Sequence, residues 1–307
     1  MILITGAAGF IGAKVAQKFI DLGYETITID NLSTGIKENI PKGTILIEGS
    51  CGDKSIIEKL ESYSIDGILH IAGQSSGEVS FENPAYDLES NAMSTVLLLD
   101  FARKKGIKRF VFASTMSVYG DQEILPVTEE SIPNPKSFYS CGKLASENYL
   151  KIYANFGIET TALRLFNVYG PGQNLDNLKQ GMLSIYLAQA LNYDKILVKG
   201  SKDRFRDFVY IDDVVEAFVS LYLSSWKGYN VYNICSGKPT TVSDLLHGIQ
   251  HHIGKDVNIL FDVGTPGDQF GIYGNYDKIM RDFSWKPTNY LKEGLKMMVE
   301  WALSKRL

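Results

Sequence analysis

The chain has 307 residues, 45% hydrophobic and 21% charged, with a net charge of -4, which suits one or two soluble domains with ample core. Both signs are mixed along the chain without a basic stripe or polycationic tail, so nucleic acid is not an expected partner. No run approaches the ~18 apolar residues of a membrane helix, and neither the cysteines (Cys51, Cys141, Cys235) nor the histidines (His70, His247, His251, His252) stand at disulfide or metal-ligand spacing, so no metal is expected.

The chain starts at once with an apolar strand over residues 1–5, which leaves no room for a leader peptide and points to the cytoplasm. Gly6-Ala7-Ala8-Gly9-Phe10-Ile11-Gly12 follows and opens a helix over 10–22. Glycines at this spacing let the backbone turn tightly and let a pyrophosphate approach the amides at a helix N-terminus. A second strand over 24–29 ends in Asp30, eighteen residues beyond Gly12. A carboxylate there accepts from both ribose hydroxyls and repels a 2'-phosphate, so NAD rather than NADP is the expected cofactor.

Alternation continues with a strand at 44–48, a helix at 54–63, a strand at 67–71, a long helix at 84–104 and a strand at 109–113. A helix at 137–156 and a strand at 159–165 complete the run. This pattern predicts an α/β fold: a Rossmann-like, doubly wound parallel sheet over residues 1–170, with ligands at the strand C-termini. Past Gly170-Pro171-Gly172 the elements shorten, which suits a smaller mixed α/β substrate-binding lobe built from residues 171–207 and 237–307. Residues 208–211 and 232–234 read as strands that rejoin the first sheet, so 208–236 is expected to return to it.

Within the 137–156 helix, Tyr139 and Lys143 stand four residues apart and rise from one face. A phenol titrates near pKa ~10, and a nearby ammonium together with a cationic nicotinamide ring favours its phenolate. On these two residues alone, a packed tyrosine and a solvated lysine stay open as the alternative.

The ordered set Gly6-x-x-Gly9-x-x-Gly12, Asp30, Ser114-Thr115-Met116-Ser117-Val118-Tyr119-Gly120, Tyr139-x-x-x-Lys143, Arg164-Leu165-Phe166-Asn167-Val168-Tyr169-Gly170-Pro171 and Arg206-Asp207-Phe208-Val209-Tyr210 resembles the extended short-chain dehydrogenase/reductases. The likeness runs nearly end to end, through Trp285-Lys286-Pro287. More narrowly it is similar to the nucleotide-sugar epimerase/dehydratase group, closest to the UDP-glucose 4-epimerases. The resemblance implies that Tyr139 is the catalytic base, that Lys143 binds the nicotinamide ribose and lowers the tyrosine pKa, and that Thr115 hydrogen-bonds the reacting sugar hydroxyl. It implies a cofactor bed of Gly6, Gly9, Phe10, Ile11 and Gly12, then Asp30, Asn31, Ser33 and Thr34 around the adenosine. Ile71, Ala72, Gly73 and Ser114 fall at strand ends beside the cofactor, and Asn91 steadies the nicotinamide side. Gly35, Cys51 and Phe166 are further cofactor candidates. Asn167, Leu183 and Arg206 are expected to meet the nucleoside diphosphate, with Ser75 and Asp268 as further substrate candidates.

The reaction so implied is epimerisation at the sugar C4 through a transient 4-keto sugar, serving polysaccharide biosynthesis, in a homodimer paired through helices 84–104 and 137–156. Epimerisation at C2, 4,6-dehydration, reduction and non-catalytic nucleotide binding are the alternatives. Family dehydratases place an Asp-Glu pair after the catalytic threonine, where this chain has Met116-Ser117. Thr265 stands before Pro266-Gly267-Asp268 where an arginine is usual, which shifts phosphate binding to Arg206 or Arg204. Ser50 replaces the usual adenine-binding aspartate, with Asp53 the nearest substitute; Ile272 lies where a gatekeeping residue is expected, and Cys141 is expected to pack.

Overall fold

The computed structural model describes residues 1–264 and 269–305. Thirteen strands are described among them: β1 Ile2–Thr5, β2 Thr26–Asp30, β3 Ile45–Glu48, β4 Gly67–His70, β5 Arg109–Thr115, β6 Glu159–Leu165, β7 Asn167–Tyr169, β8 Lys195–Lys199, β9 Phe205–Tyr210, β10 Tyr229–Ile234, β11 Pro239–Thr241, β12 Asn258–Asp262 and β13 Gly271–Ile272. Seven form one parallel sheet in the order β10-β6-β5-β4-β1-β2-β3. The strand order reverses between β1 and β4, and such a switch point opens a crevice at the strand C-termini. The doubly wound sheet is the expected one.

Burial explains why these segments are strands. Every residue of β1, β2 and β4 is buried, as a parallel sheet covered on both faces requires. The helix Phe10–Asp21 turns Gly12, Val15, Ala16 and Phe19 inward, a 3.6-residue spacing that lays one apolar stripe on the sheet. Among the described residues, no helix is long and apolar enough to cross a membrane.

Residues 208–211 depart from expectation. Phe208, Val209 and Tyr210 belong to β9, and Ile211 opens the helix Ile211–Leu223; β9 does not rejoin the first sheet but centres a second one, pairing with β7, β11 and β13. Only β10, which holds residues 232–234, returns to the edge of the first sheet beside β6. The cause is a kink at Phe166, whose N–H still bonds Ile234 O at 3.0 Å. One residue later the chain is in β7, paired with β9. A single extended run thus feeds both sheets, and Asn167 lies at their junction. The lone pair of strands β8 and β12 runs parallel beyond them.

The helix expected over 84–104 is continuous in direction but built in three pieces: Pro84–Leu88, a π-helical turn Glu89–Met93 and Ser94–Lys105. At that turn the carbonyl of Asn91 accepts a backbone N–H and is also met by three hydroxyls: Thr95 at 2.8 Å, Ser94 at 3.0 Å and Ser146 at 3.4 Å. Such π turns gather at functional sites.

The helix Phe138–Ala154 is fixed at both ends of its buried face. Ser137 and Ser140 form a reciprocal capping box at 3.2 and 3.0 Å, an arrangement worth about 1 kcal/mol. Further along, Glu147 accepts from Arg164 Nη2 at 2.7 Å and Nε at 3.0 Å, and from Ser114 Oγ at 2.5 Å, all buried. The guanidinium also lies 4.7 Å over the Tyr119 ring, whose hydroxyl donates to Asn233 at 2.6 Å. Removing one member of such a pair strands the other charge. Arg164→Met is therefore expected to lower unfolding free energy by about 3–5 kcal/mol, and Arg164→Met with Glu147→Leu to recover much of it; chemical denaturation checks both.

Candidate active site

Two cavities meet at the strand ends, sharing Ser75, Ser76, Lys179 and Gln180 in their walls. The first is the expected cofactor bed. Gly6, Gly9, Phe10, Ile11 and Gly12 line it, with Asp30, Asn31, Ser33, Thr34, Gly35 and Cys51 around one end and Ile71, Ala72 and Gly73 along the other. Its bare glycine floor is required by contact: a β-carbon at Gly12 would fall 2.1 Å from Gly6 O, and one at Gly6, where φ is +78°, would lie 2.9 Å from the Ala72 backbone. Asp30 Oδ2 accepts from Ala8 N–H and Oδ1 from Leu32 N–H, both at 2.9 Å, so the carboxylate is aimed before any ribose arrives. Asp53 plays no part here. It caps the helix Lys54–Glu58 through Ser55, while Ser50 lines the cavity.

Tyr139 borders the second cavity with Ser75, Met116, Ser117, Asn167 and Arg206. Thr115 lies behind this wall, accepting from Ser117 N–H at 3.1 Å and donating to Ser117 Oγ at 3.2 Å, and its hydroxyl favours the ionised form of the phenol. Lys143 is buried, donates to Ala113 O at 2.9 Å and lies 5.9 Å from the Tyr139 ring centre. Beside it is Asn91. A β-carbon at Gly73 would come 2.5 Å from Asn91 Oδ1 and 3.3 Å from Lys143 Nζ. Asn91 Nδ2 donates to Gln74 O and Asp87 Oδ1 at 3.0 and 3.2 Å, while its Oδ1 is buried with no hydrogen-bond partner among the described residues. A glycine-floored groove, an aimed carboxylate at one end and an unsatisfied amide oxygen beside a lysine at the other fit a dinucleotide.

Without the cofactor, burial dominates both groups. It pushes Tyr139 up to about 12, and the Asp87 carboxylate adds to the rise against the influence of Thr115; the lowering expected of this phenol belongs to the state with the cofactor's positive ring beside it. The Lys143 ammonium donates to a backbone carbonyl, and burial pulls its pKa down to about 8 against the attraction of Asp87. Burial likewise holds His70 neutral, down to about 3. The Thr5 hydroxyl accepts from Ile71 and Ala72 N–H, so it gives its proton to His70 Nδ1, and Nε2–H donates to Ser94.

Other candidates sit apart from the cavities. The Ser114 hydroxyl turns back to Glu147. Phe166 and Leu183 are core residues that line neither cavity, and Ile272 is fully buried in β13 rather than at a gate. Cys141 is exposed rather than packed. Asp268 lies outside the described residues. Sequence reasoning missed Asp87, which is 1% exposed and accepts from Gln74 Nε2 at 2.8 Å; its only signal was a place one turn before Asn91. It also missed Gln74, which grips both backbone groups of Ser76, and Gln269 at the cavity wall.

Residues 2–235 match the model of the NAD dependent epimerase/dehydratase family. The chain belongs to that family. This family member is 37% identical, over 98% of both chains, to a putative UDP-glucose 4-epimerase of Methanocaldococcus jannaschii. It superposes with a TM-score of 0.96 and 34% identity on a UDP-glucose 4-epimerase of Thermotoga maritima with UDP-glucose, covering 100% of this chain and 99% of that one. A Thermus thermophilus UDP-glucose 4-epimerase in complex with NAD matches with a TM-score of 0.91 and 32% identity over 98% of each chain. NAD is the cofactor of the family, and the groove described above takes it.

An uncharged phenol at neutral pH is expected in the cofactor-free protein. The difference in ultraviolet absorption between wild type and Tyr139→Phe, followed against pH, should show ionisation near 12 without NAD and well below that with NAD bound. Coincident curves would mean that the cofactor's charge does not act on Tyr139.

Proposed function

We propose that the chain is an NAD-dependent epimerase that interconverts the C4 configurations of a UDP-linked hexose of the glucose/galactose type. The observation that carries this is the place of Tyr139 in a cavity wall shared with Met116 and Ser117, with Thr115 behind that wall favouring its phenolate, in a family member whose relatives are UDP-glucose 4-epimerases. Neither Met116 nor Ser117 can act as the carboxylic acid that dehydration needs. Glu78, the one carboxylate in that wall among the described residues, is engaged by Lys199 at 3.2 Å.

Bound NAD supplies the two-electron acceptor, and then donor, that oxidation and reduction at C4 require. The chain's own residues do the rest. Tyr139 as phenolate takes the C4 hydroxyl proton and returns it once the transient 4-keto sugar has turned over, so one group serves as base and then acid. Thr115 holds the phenol and the reacting hydroxyl in one hydrogen-bonded line. Lys143 holds the nicotinamide ribose and favours the phenolate. Asn167 and Arg206 hold the nucleoside diphosphate, leaving the sugar free to rotate on its tether. In this reading residues 1–170, with β10, form the NAD-binding half, and 171–207 with 237–307 the nucleotide-sugar half. A cytoplasmic setting fits three unpaired cysteines and a dinucleotide cofactor, and supply of sugars for polysaccharide biosynthesis is the role in the cell.

Tyr139→Phe tests the chemistry. With UDP-glucose as substrate, wild type is expected to yield an isomer of unchanged mass, while the variant loses about 10²–10⁴-fold in turnover and keeps NAD on purification. An active variant, or a wild-type product lighter by one water, would overturn the reading.

We also propose a homodimer. Leu88 and Met93 on one helical run and Tyr149, Ile152 and Phe156 on and just past another leave apolar side chains exposed on neighbouring helices, a face suited to a second copy of the chain in a four-helix bundle. Light scattering at micromolar concentration should give twice the chain mass, and Ile152→Glu should give the monomer.

A further inference from the structure

The substrate cavity carries more positive charge than its arginines explain. Its wall holds Lys136, Lys179, Lys199, Arg204 and Arg206 against the single carboxylate Glu78, five cations less one anion, an excess of four. Both arginines are buried and held from behind. Arg206 donates to the carbonyls of Phe205 at 2.8 Å, Phe270 at 3.2 Å and Gln269 at 2.7 Å, and Arg204 to those of Ser201 and Lys199. Lys136 points to Asp121 on the outer surface.

Lys199 and Lys179 are placed differently. Each is about half exposed, and each reaches across the cavity mouth to the helix Gly77–Glu82. Lys199 Nζ meets Glu78 at 3.2 and 3.4 Å, and Lys179 Nζ meets both Glu82 oxygens at 2.9 Å. These are long, hydrated point charges on flexible stems. Exposed ammonium–carboxylate pairs hold weakly and are screened by salt, whereas bonds from a cation to phosphate oxygens are short and strong.

We propose that Lys199, seconded by Lys179, binds the diphosphate of the nucleotide sugar by exchanging its glutamate partner for phosphate oxygens, with Glu78 and Glu82 acting as intramolecular competitors. This rests on the nucleotide-sugar reading above. The exchange breaks no covalent bond; it moves two ammonium groups from carboxylates on one side of the mouth to a dianion within it. It also releases the helix Gly77–Glu82, which follows directly on Ser75 and Ser76, two of the four residues shared by both cavities.

The test uses full-length, NAD-loaded protein and calorimetric titration with UDP, dTDP, CDP and GDP. Lys199→Gln is expected to weaken binding of the preferred diphosphate about tenfold, with the loss in turnover of the sugar substrate carried by KM rather than kcat. Glu78→Gln is expected to do the opposite and tighten binding about threefold, the size of an exposed pair. That gain should vanish in the Lys199→Gln background, a coupling that a merely structural salt bridge would not produce. Unchanged affinity in Lys199→Gln, or weaker binding in Glu78→Gln, would overturn the proposal while leaving the epimerase reading intact. A wild type that bound none of the four diphosphates would overturn both.

Discussion

Glu147 stands four residues beyond Lys143 and eight beyond Tyr139, so the helix Phe138–Ala154 carries all three on one face. The bonds from Glu147 to Arg164 on β6 and to Ser114 on β5 set the helix's rotation and height against the sheet. A slide by one residue would turn the face by about 100° and carry both Tyr139 and Lys143 out of the cleft. Burying an ion pair costs desolvation that its attraction only partly offsets. With three short bonds converging on one carboxylate, the pair instead supplies position. The capping box at Ser137 and the Lys143 bond to Ala113 O complete a three-point attachment. Catalytic geometry here is a property of the helix's seating.

A second buried polar layer lies under the cofactor groove and joins that seating to the loop between the cavities. Thr5 links the backbone after β4 to His70, His70 to Ser94, and Ser94 to the carbonyl of Asn91. Asn91 and Gln74 then converge on Asp87, and Gln74 holds Ser76. Asp87 and Lys143 favour each other's charged forms, yet burial moves Asp87 up and Lys143 down. Desolvation outweighs their attraction. Both groups are thereby brought nearer to neutrality, while each still favours the other's charged form.

Much of this was legible because it is local. The glycine spacing, Asp30 and the Tyr139–Lys143 pair are each encoded within one strand-turn-helix or one helical turn, and the structure brings them to the same cleft. What escaped depends on distant partners. Residues 208–210 have the composition of a central strand, but the sheet they join is set by β7, which begins just past Phe166 and pairs with them, a partnership with no local signature. Asp87 and Glu147 carry no mark of burial in the sequence around them; the packing of Gln74, Asn91 and Arg164 is what buries them. Phe166 and Leu183 stand next to cavity residues, Asn167 and Met182, and one step along the backbone turns each into the core. Cys141 errs the other way, exposed because it falls outside the face set by Tyr139, Lys143 and Glu147.

The opposed shifts of Tyr139 and Lys143 constrain how the base is made. Burial holds the phenol up to about 12 and the ammonium down to about 8. A unit positive charge about 5 Å away, through an effective dielectric of about 20, contributes about 3 kcal/mol, which brings such a phenol to about 10. One charge is insufficient at neutral pH; two, acting together, reach about 8. Lys143 supplies one only if it remains protonated beside a second cation, and Asp87 is the group that keeps it so. In the proposed reaction the second charge would come from a bound oxidised nicotinamide and would be absent once the cofactor is reduced. The phenolate is therefore favoured when a hydroxyl must be deprotonated and disfavoured when the keto sugar must receive a proton. A tyrosine whose own surroundings held it ionised would serve the first half of the proposed cycle and fail the second, so under that proposal the high phenol pKa imposed by burial is what would let Tyr139 act as base and acid in turn.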